Sequence, residues 1–200
     1  QFQEGKRYAA GTDTSHGAGQ DFAVTVVLDS VTGYIVADIC SQVINPTELA
    51  VASVDLLNRY DAPIWAIEDN DWGILTIAMA QDLRYRRLHY RDSDHPGWHT
   101  YDTAGMSGGS RYILWGDLIE AVHSRSITVP NPEGLSQFFT VIRNPEKRGR
   151  IEAQYGTHDD YPMAVGMAWQ MRQYARPSGS ERGRRANPHR RRRRGWARWS

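Results

Sequence analysis

Residues 22–41 constrain this chain more than any other stretch. Two runs rich in β-branched and aromatic residues, 22–29 (FAVTVVLD) and 34–41 (YIVADICS), are separated by only Ser30-Val31-Thr32-Gly33. Strand-length runs this close fold back on each other as a hairpin. A third strand-like run, 7–13, precedes them across the loop 14–20, which holds Gly17 and Gly19. A three-strand antiparallel meander follows. It exposes two faces that the rest of the chain has to cover.

The segments downstream supply that cover. Pro46 opens a helix with Asn45 placed as its N-cap. Leu49, Ala52, Val54, Leu56 and Leu57 form its apolar face, and it ends near Tyr60-Asp61. Residues 63–68 (PIWAIE) make a short buried fourth strand. A helix over 72–83 and a fifth strand over 87–90 continue the alternation. A meander followed by β-α-β predicts an α/β fold with a mixed sheet, antiparallel and parallel strands together, flanked by helices. Residues 92–109 contain four Gly and one Pro and predict a loop. Beyond it come a helix over 110–124, a short helix over 134–141 running into extended chain, an extended stretch over 150–155, and a last helix over 159–174. Ala164, Val165, Ala168 and Met171 give that helix a face of modest size to lay on the sheet.

Charge divides the chain in two. The net charge is +1, but residues 176–200 hold ten Arg against one Glu, which leaves residues 1–175 at −8. The organisation expected is one domain over 1–175 and an Arg-rich tail over 176–200. The tail, from Pro177 onward, has almost nothing to bury and reads as disordered. An acidic body attracts cations, and a basic tail attracts phosphates.

Several function classes fall away. No apolar run approaches the roughly 20 residues that span a bilayer. The opening Gln1-Phe2-Gln3-Glu4 resembles no signal peptide, and without Met the sequence reads as part of something longer. Cys40 is the one cysteine and lies in an apolar run, as a small buried hydrophobe. His89, His95, His99 and His123 lack the compact spacing of a zinc site. Ser107-Gly108-Gly109-Ser110 is no nucleophile elbow, and no phosphate-binding Gly-x-x-x-x-Gly-Lys-Ser/Thr loop occurs.

What remains is a set of carboxylates at comparable places. Asp13 ends the first strand, Glu68 ends the fourth, and Asp159 and Asp160 open the last helix. If the first and fourth strands are neighbours, Asp13 and Glu68 stand side by side at the sheet end where α/β folds bind ligands. Clustered carboxylates repel one another and are relieved by hard divalent cations such as Mg²⁺ and Mn²⁺. Two such ions about 3.5–4 Å apart suit phosphodiester hydrolysis. Singly, each acid also reads as a turn or cap residue.

In these motifs the sequence resembles the nuclease domain of phage large terminase subunits, a ribonuclease-H-like family. The first motif is Gly11-Thr12-Asp13, then Gly17, Gly19 and Asp21-Phe22. The second is Ile67-Glu68-Asp69-Asn70 with Gly73 following. The third is Gly156-Thr157-His158-Asp159-Asp160, leading into a helix with Ala164 and Ala168. The resemblance covers about residues 7–174, including Gly97-Trp98-His99-Thr100. A Lys that the family carries shortly after that segment is replaced by Thr103-Ala104-Gly105-Met106.

The resemblance implies a metal-dependent endonuclease cutting double-stranded DNA during genome packaging, with two Mg²⁺ or Mn²⁺ ions. Asp13 would bridge the ions, Glu68 would hold one, and Asp160 or Asp159 would complete the site. Asp21 and His158 are auxiliary ligand candidates, and Asp69 points away. The implied partners are DNA, an ATPase motor domain, a small terminase subunit and a portal. The implied location is the cytoplasm of an infected bacterium. Other ribonuclease-H-like nucleases, such as junction resolvases, share the acid logic. A non-catalytic nucleic-acid-binding packaging module would keep the fold and use the acids only as caps.

Basic clusters are candidates for holding DNA. They are Arg84, Arg86, Arg87 and Arg91, then Arg143, Lys147, Arg148 and Arg150, and in the tail Arg190, Arg191 and Arg192 within the run 190–194. Trp196 and Trp199 offer stacking surfaces. Trp65, Trp72 and Trp115 are expected in the core.

Overall fold

The computed structural model describes residues 1–101, 109–147 and 149–179. Strands β1 (Tyr8–Asp13), β2 (Ala23–Asp29) and β3 (Ile35–Ser41) form the expected antiparallel meander. Helix α1 (Pro46–Asn58) leads to β4 (Ile64–Ile67), which pairs parallel with β1. The sheet order is β3-β2-β1-β4. Helices α2 (Gly73–Asp82), α3 (Ser110–His123), α4 (Pro132–Phe138) and α5 (Asp160–Met171) follow, with a second hairpin of β5 (Val141–Asn144) and β6 (Arg150–Ala153) between the last two.

The start of α1 shows how local sequence sets an element. Asn45 Oδ1 accepts from the Glu48 amide at 2.9 Å, and Glu48 Oε2 accepts from the Asn45 amide at 3.2 Å. This reciprocal box satisfies two amides that the first helical turn leaves unpaired.

Alternation along the strands builds two cores, one on each face of the sheet. Ala9, Val24, Val26, Leu28 and Ala66 pack under α3 and α5. Tyr8, Ala10, Val27, Trp65 and Ile67 pack under α1 and α2. Thr12 belongs to the second face, where its Oγ1 accepts from Trp65 Nε1 at 2.8 Å and shares a 2.7 Å hydrogen bond with Thr25. Gly11 and Asp13 therefore face α5. At Gly11 the helix lies directly on the strand: a Cβ there would stand 2.2 Å from the Ala164 carbonyl oxygen and 2.6 Å from the Ala168 amide nitrogen.

Three expectations are corrected. Residues 87–90 form no strand, only isolated bridges from Leu88 to Trp65 and from Tyr90 to Pro96, and Trp98 makes another isolated bridge, to Glu68. The short helix over 134–141 instead starts at Pro132, where Asn131 Oδ1 accepts from the Glu133 and Gly134 amides, and it ends by Phe138. The extended stretch that follows is one arm of the β5–β6 hairpin. Trp72 lies outside the core, 42% exposed, with its ring 4.2 Å from that of His16, whereas Trp65 and Trp115 are buried.

Cys40 packs half-buried against the α5 core, and burial pushes its thiol up to about 12. Residues 176–179, placed in the tail by the sequence reading, continue along the body: Pro177 bridges to Arg7, and Ser178 is buried with its amide donating to the Lys6 carbonyl. Among the described residues no helix is long and apolar enough to cross a membrane.

Candidate active site

The alternation that seats Gly11 under α5 also aims Asp13 at that helix. Ala66 occupies the same face of β4, so Glu68, two residues on, points the same way. The parallel register puts Thr12 beside Ile67, and the Glu68 amide donates to the Thr12 carbonyl at 3.0 Å. Asp13 and Glu68 thus stand together at one sheet end, where each lines the same cleft and the Glu68 charge bears on Asp13. Helix α5 begins over this end and adds Asp159 and Asp160.

Neither of these aspartates caps the helix that it opens. Asp159 makes no side-chain hydrogen bond to the first turn of α5. Asp160 Oδ2 instead accepts from the Phe22 amide at 2.9 Å, across the chain from its own helix. Asp69 turns away, bonded to His99 Nδ1 at 2.7 Å and Arg91 at 3.3 Å. Asn70 Nδ2 donates to Glu68 Oε1 at 2.8 Å and holds that carboxylate in place.

The electrostatics are those of crowded acids. Burial, the Glu68 charge and that of Asp160 push Asp13 well above the usual carboxylate range. Burial raises Asp160 to about 6, with Asp159 and Asp21 adding to the rise and the Phe22 amide opposing it. Ligand atoms of Asp21, His158 and Asp160 all lie within 4.8 Å of one another. His158 Nδ1 stands 3.6 Å from Asp21 and 3.7 Å from Asp160, with the imidazole edge-on to Phe22 at 5.1 Å. Carboxylate oxygens with one imidazole are a donor set for a divalent cation.

The acids floor a cleft of about 850 Å³ whose other wall is the β5–β6 hairpin. Lys147 and Arg150 bring positive charge to that wall, each beside Glu152, at 2.8 and 3.6 Å. Arg84, Arg86 and Arg87 are not brought to the cleft. They lie toward the opposite end of β4, where the Arg87 carbonyl bonds the Trp65 amide and its guanidinium reaches the Tyr174 carbonyl. Arg148, Arg190, Arg191, Arg192, Trp196, Trp199 and the segment 103–106 lie outside the described residues.

Sequence reading misses Arg111. It lines the cleft and pairs with Asp159 at 3.1 Å. It sits just past the Gly-rich loop at the start of α3, where a lone basic residue carries no periodic signal.

Comparison with solved structures finds the same fold. The large terminase nuclease of thermophilic phage G20c, in its form with bound cobalt, superposes with a TM-score of 0.69 at 16% identity, over 84% of this chain and 83% of that one. The magnesium-bound form gives 0.63 at 19% identity, over 84% and 83%. The nuclease domain of the Thermus phage P74-26 large terminase gives 0.59 at 19% identity, over 84% and 80%. The fold is that of a large terminase nuclease. No family model matches the sequence, and no curated protein matches it either. The terminase nuclease fold is a mixed sheet flanked by helices, as the strand pattern predicts.

The raised acids give the cleft a stability signature. A carboxyl whose folded pKa exceeds its unfolded value binds its proton more tightly in the folded state. Its contribution is full below the ordinary value of 3.8 and is lost as pH rises through about 6 for Asp160. In chelator, the melting temperature is expected to fall between about pH 4 and pH 6.5, by roughly 2–3 kcal/mol of stability. Asp160→Asn is expected to flatten that fall. Parallel profiles for parent and variant, followed by circular dichroism, would refute the assignment.

Proposed function

We propose that this chain is a metal-dependent endonuclease that hydrolyses phosphodiester bonds of double-stranded DNA, working as the nuclease domain of a large terminase during phage genome packaging. The convergence of Asp13, Glu68 and Asp160, with Asp159 beside them, carries this reading. Three distant segments meet there in an arrangement that is unfavourable without a cation. Asp13, Glu68 and Asp160 would hold two Mg²⁺ or Mn²⁺ ions, with Asp13 shared between them. Asp160 serves as the helix ligand, with Asp21 and His158 able to extend its side of the site. Divalent cations, when bound, supply the positive charge that activates water for attack on phosphorus and stabilises the leaving oxygen.

The chain's own residues do the rest. Asn70 orients Glu68, and the Phe22 amide orients Asp160. The hairpin wall holds the sugar–phosphate backbone over the acids through Lys147 and Arg150. Changing both to Gln is expected to weaken duplex binding several-fold. It should also reduce the slope of log affinity against log salt by about 2, one unit for each lost phosphate contact. An unchanged slope would remove the hairpin from the DNA path.

In packaging, the partners are an ATPase motor domain, a small terminase subunit and the portal, in the cytoplasm of the infected host. The deciding assay incubates supercoiled plasmid with the protein in Mn²⁺, in Mg²⁺ and in chelator. Nicking and linearisation in either metal, absent in chelator, support the nuclease. Binding without cleavage under every metal condition would make the chain a non-catalytic packaging module.

A further inference from the structure

Arg111 has an environment that its charge alone does not require. It is the second residue of α3, and its side chain is only 11% exposed. Its Nη2 stands 3.1 Å from both Asp159 Oδ2 and the Ile151 carbonyl oxygen, and its Nη1 lies 3.7 Å from Met163 Sδ. One side chain thus joins α3, the hairpin strand β6 and the start of α5. A guanidinium taken from water needs acceptors in fixed places, and its planar fork fixes their positions in turn. Asp159 is the acid fixed here. It opens α5 without capping it, and its Oδ2 is directed by Arg111.

We propose that Arg111 is a positioning residue for the acid site. It orients the Asp159 carboxylate and ties β6 to the head of α5, so that the oxygens around Asp13 are preset for a divalent cation before one arrives. This rests on the reading of the acids as a cation site. Two effects of Arg111 on a cation oppose each other. As a nearby positive charge it repels the ion, so its removal would tighten binding. As the partner that orients a ligand it strengthens binding, by about 10–100-fold in sites of this kind. The double attachment, to Asp159 and to Ile151, makes orientation the larger effect.

The test is Mn²⁺ binding by isothermal titration, without DNA, on the full chain and on Arg111→Gln and Arg111→Lys, with amide hydrogen exchange of 141–153 alongside. Arg111→Gln is expected to bind Mn²⁺ about ten-fold more weakly, with faster exchange across the hairpin. Arg111→Lys keeps the charge but loses the fork, and is expected to show a smaller loss in the same direction. Mn²⁺ binding in Arg111→Gln as tight as in the parent, or tighter, overturns the proposal. Should that variant not fold, Arg111→Lys decides by the same criterion. A parent chain that takes up no Mn²⁺ sinks the cation-site reading itself, and this proposal with it.

Discussion

Asp13→Asn is expected to lower Mn²⁺-dependent plasmid nicking by roughly a thousand-fold or more while leaving the protein folded. Asp13 is the acid on which the other three bear: the charges of Glu68, Asp160 and Asp159 all act on it. Charge stabilisation by a metal contributes several kcal/mol to phosphoryl chemistry, and each 1.36 kcal/mol is about ten-fold in rate. An amide of the same shape keeps the packing but gives up the charge that would hold a divalent cation. It also removes the repulsion among the acids, so the variant in chelator at neutral pH is expected to melt at or above the parent's temperature. The measurements are linearisation rates in Mn²⁺ and thermal melts in chelator. A variant that cuts at more than a tenth of the parental rate would place the chemistry elsewhere.

The second large effect is structural. Gly11→Ala is expected to destabilise the fold by about 3 kcal/mol or more, at the upper end of what overpacking does. The new methyl would meet the backbone of α5 at Ala164 and Ala168, not a flexible side-chain end. The helix must therefore lift from β1, and its first residues, Asp159 and Asp160, move with it. At a few degrees per kcal/mol for a domain of this size, the melting temperature should drop by about 10 °C. Gly116→Ala is the control. It lies within α3 with open space around the added methyl, and it is expected to be neutral or slightly stabilising. A melting temperature for Gly11→Ala within 2 °C of the parent's (about half a kcal/mol) would mean that strand and helix are not in the contact described.

The legible parts of this molecule were those with a strong local period. The meander, the buried strand at 64–67 and the N-cap at Asn45 each follow from a few consecutive residues. The acid site was legible for a related reason. A side chain at the end of a strand has its face set by the alternation before it, so Asp13 and Glu68 could be placed together once their strands were taken as neighbours. The β5–β6 hairpin was not legible, because VIRN and RIEA are short and half polar and form no face of the main sheet. Residues 87–90 carry strand-like composition, but pairing with β4 stops at the Leu88 bridge; Tyr90 then bridges to Pro96 as the chain turns, to return at Trp98. Trp72 misled because its size suggests burial, whereas its ring rests on His16 at the surface. Arg111 gives no one-dimensional signal: its role depends on β6 and α5, 40 and 48 positions downstream.

The order in which the chain is made bears on the host. The sheet needs α5 as its cover, and the last two acids, Asp159 and Asp160, come with the start of that helix, far beyond the β1 that they join. During translation, a growing chain that has emerged only as far as the second hairpin lacks both its lid and half its carboxylates. If the nuclease reading holds, such a chain cannot yet harm the DNA beside the ribosome. On the function proposed above, the capacity to cut would come only with the helix that closes the fold.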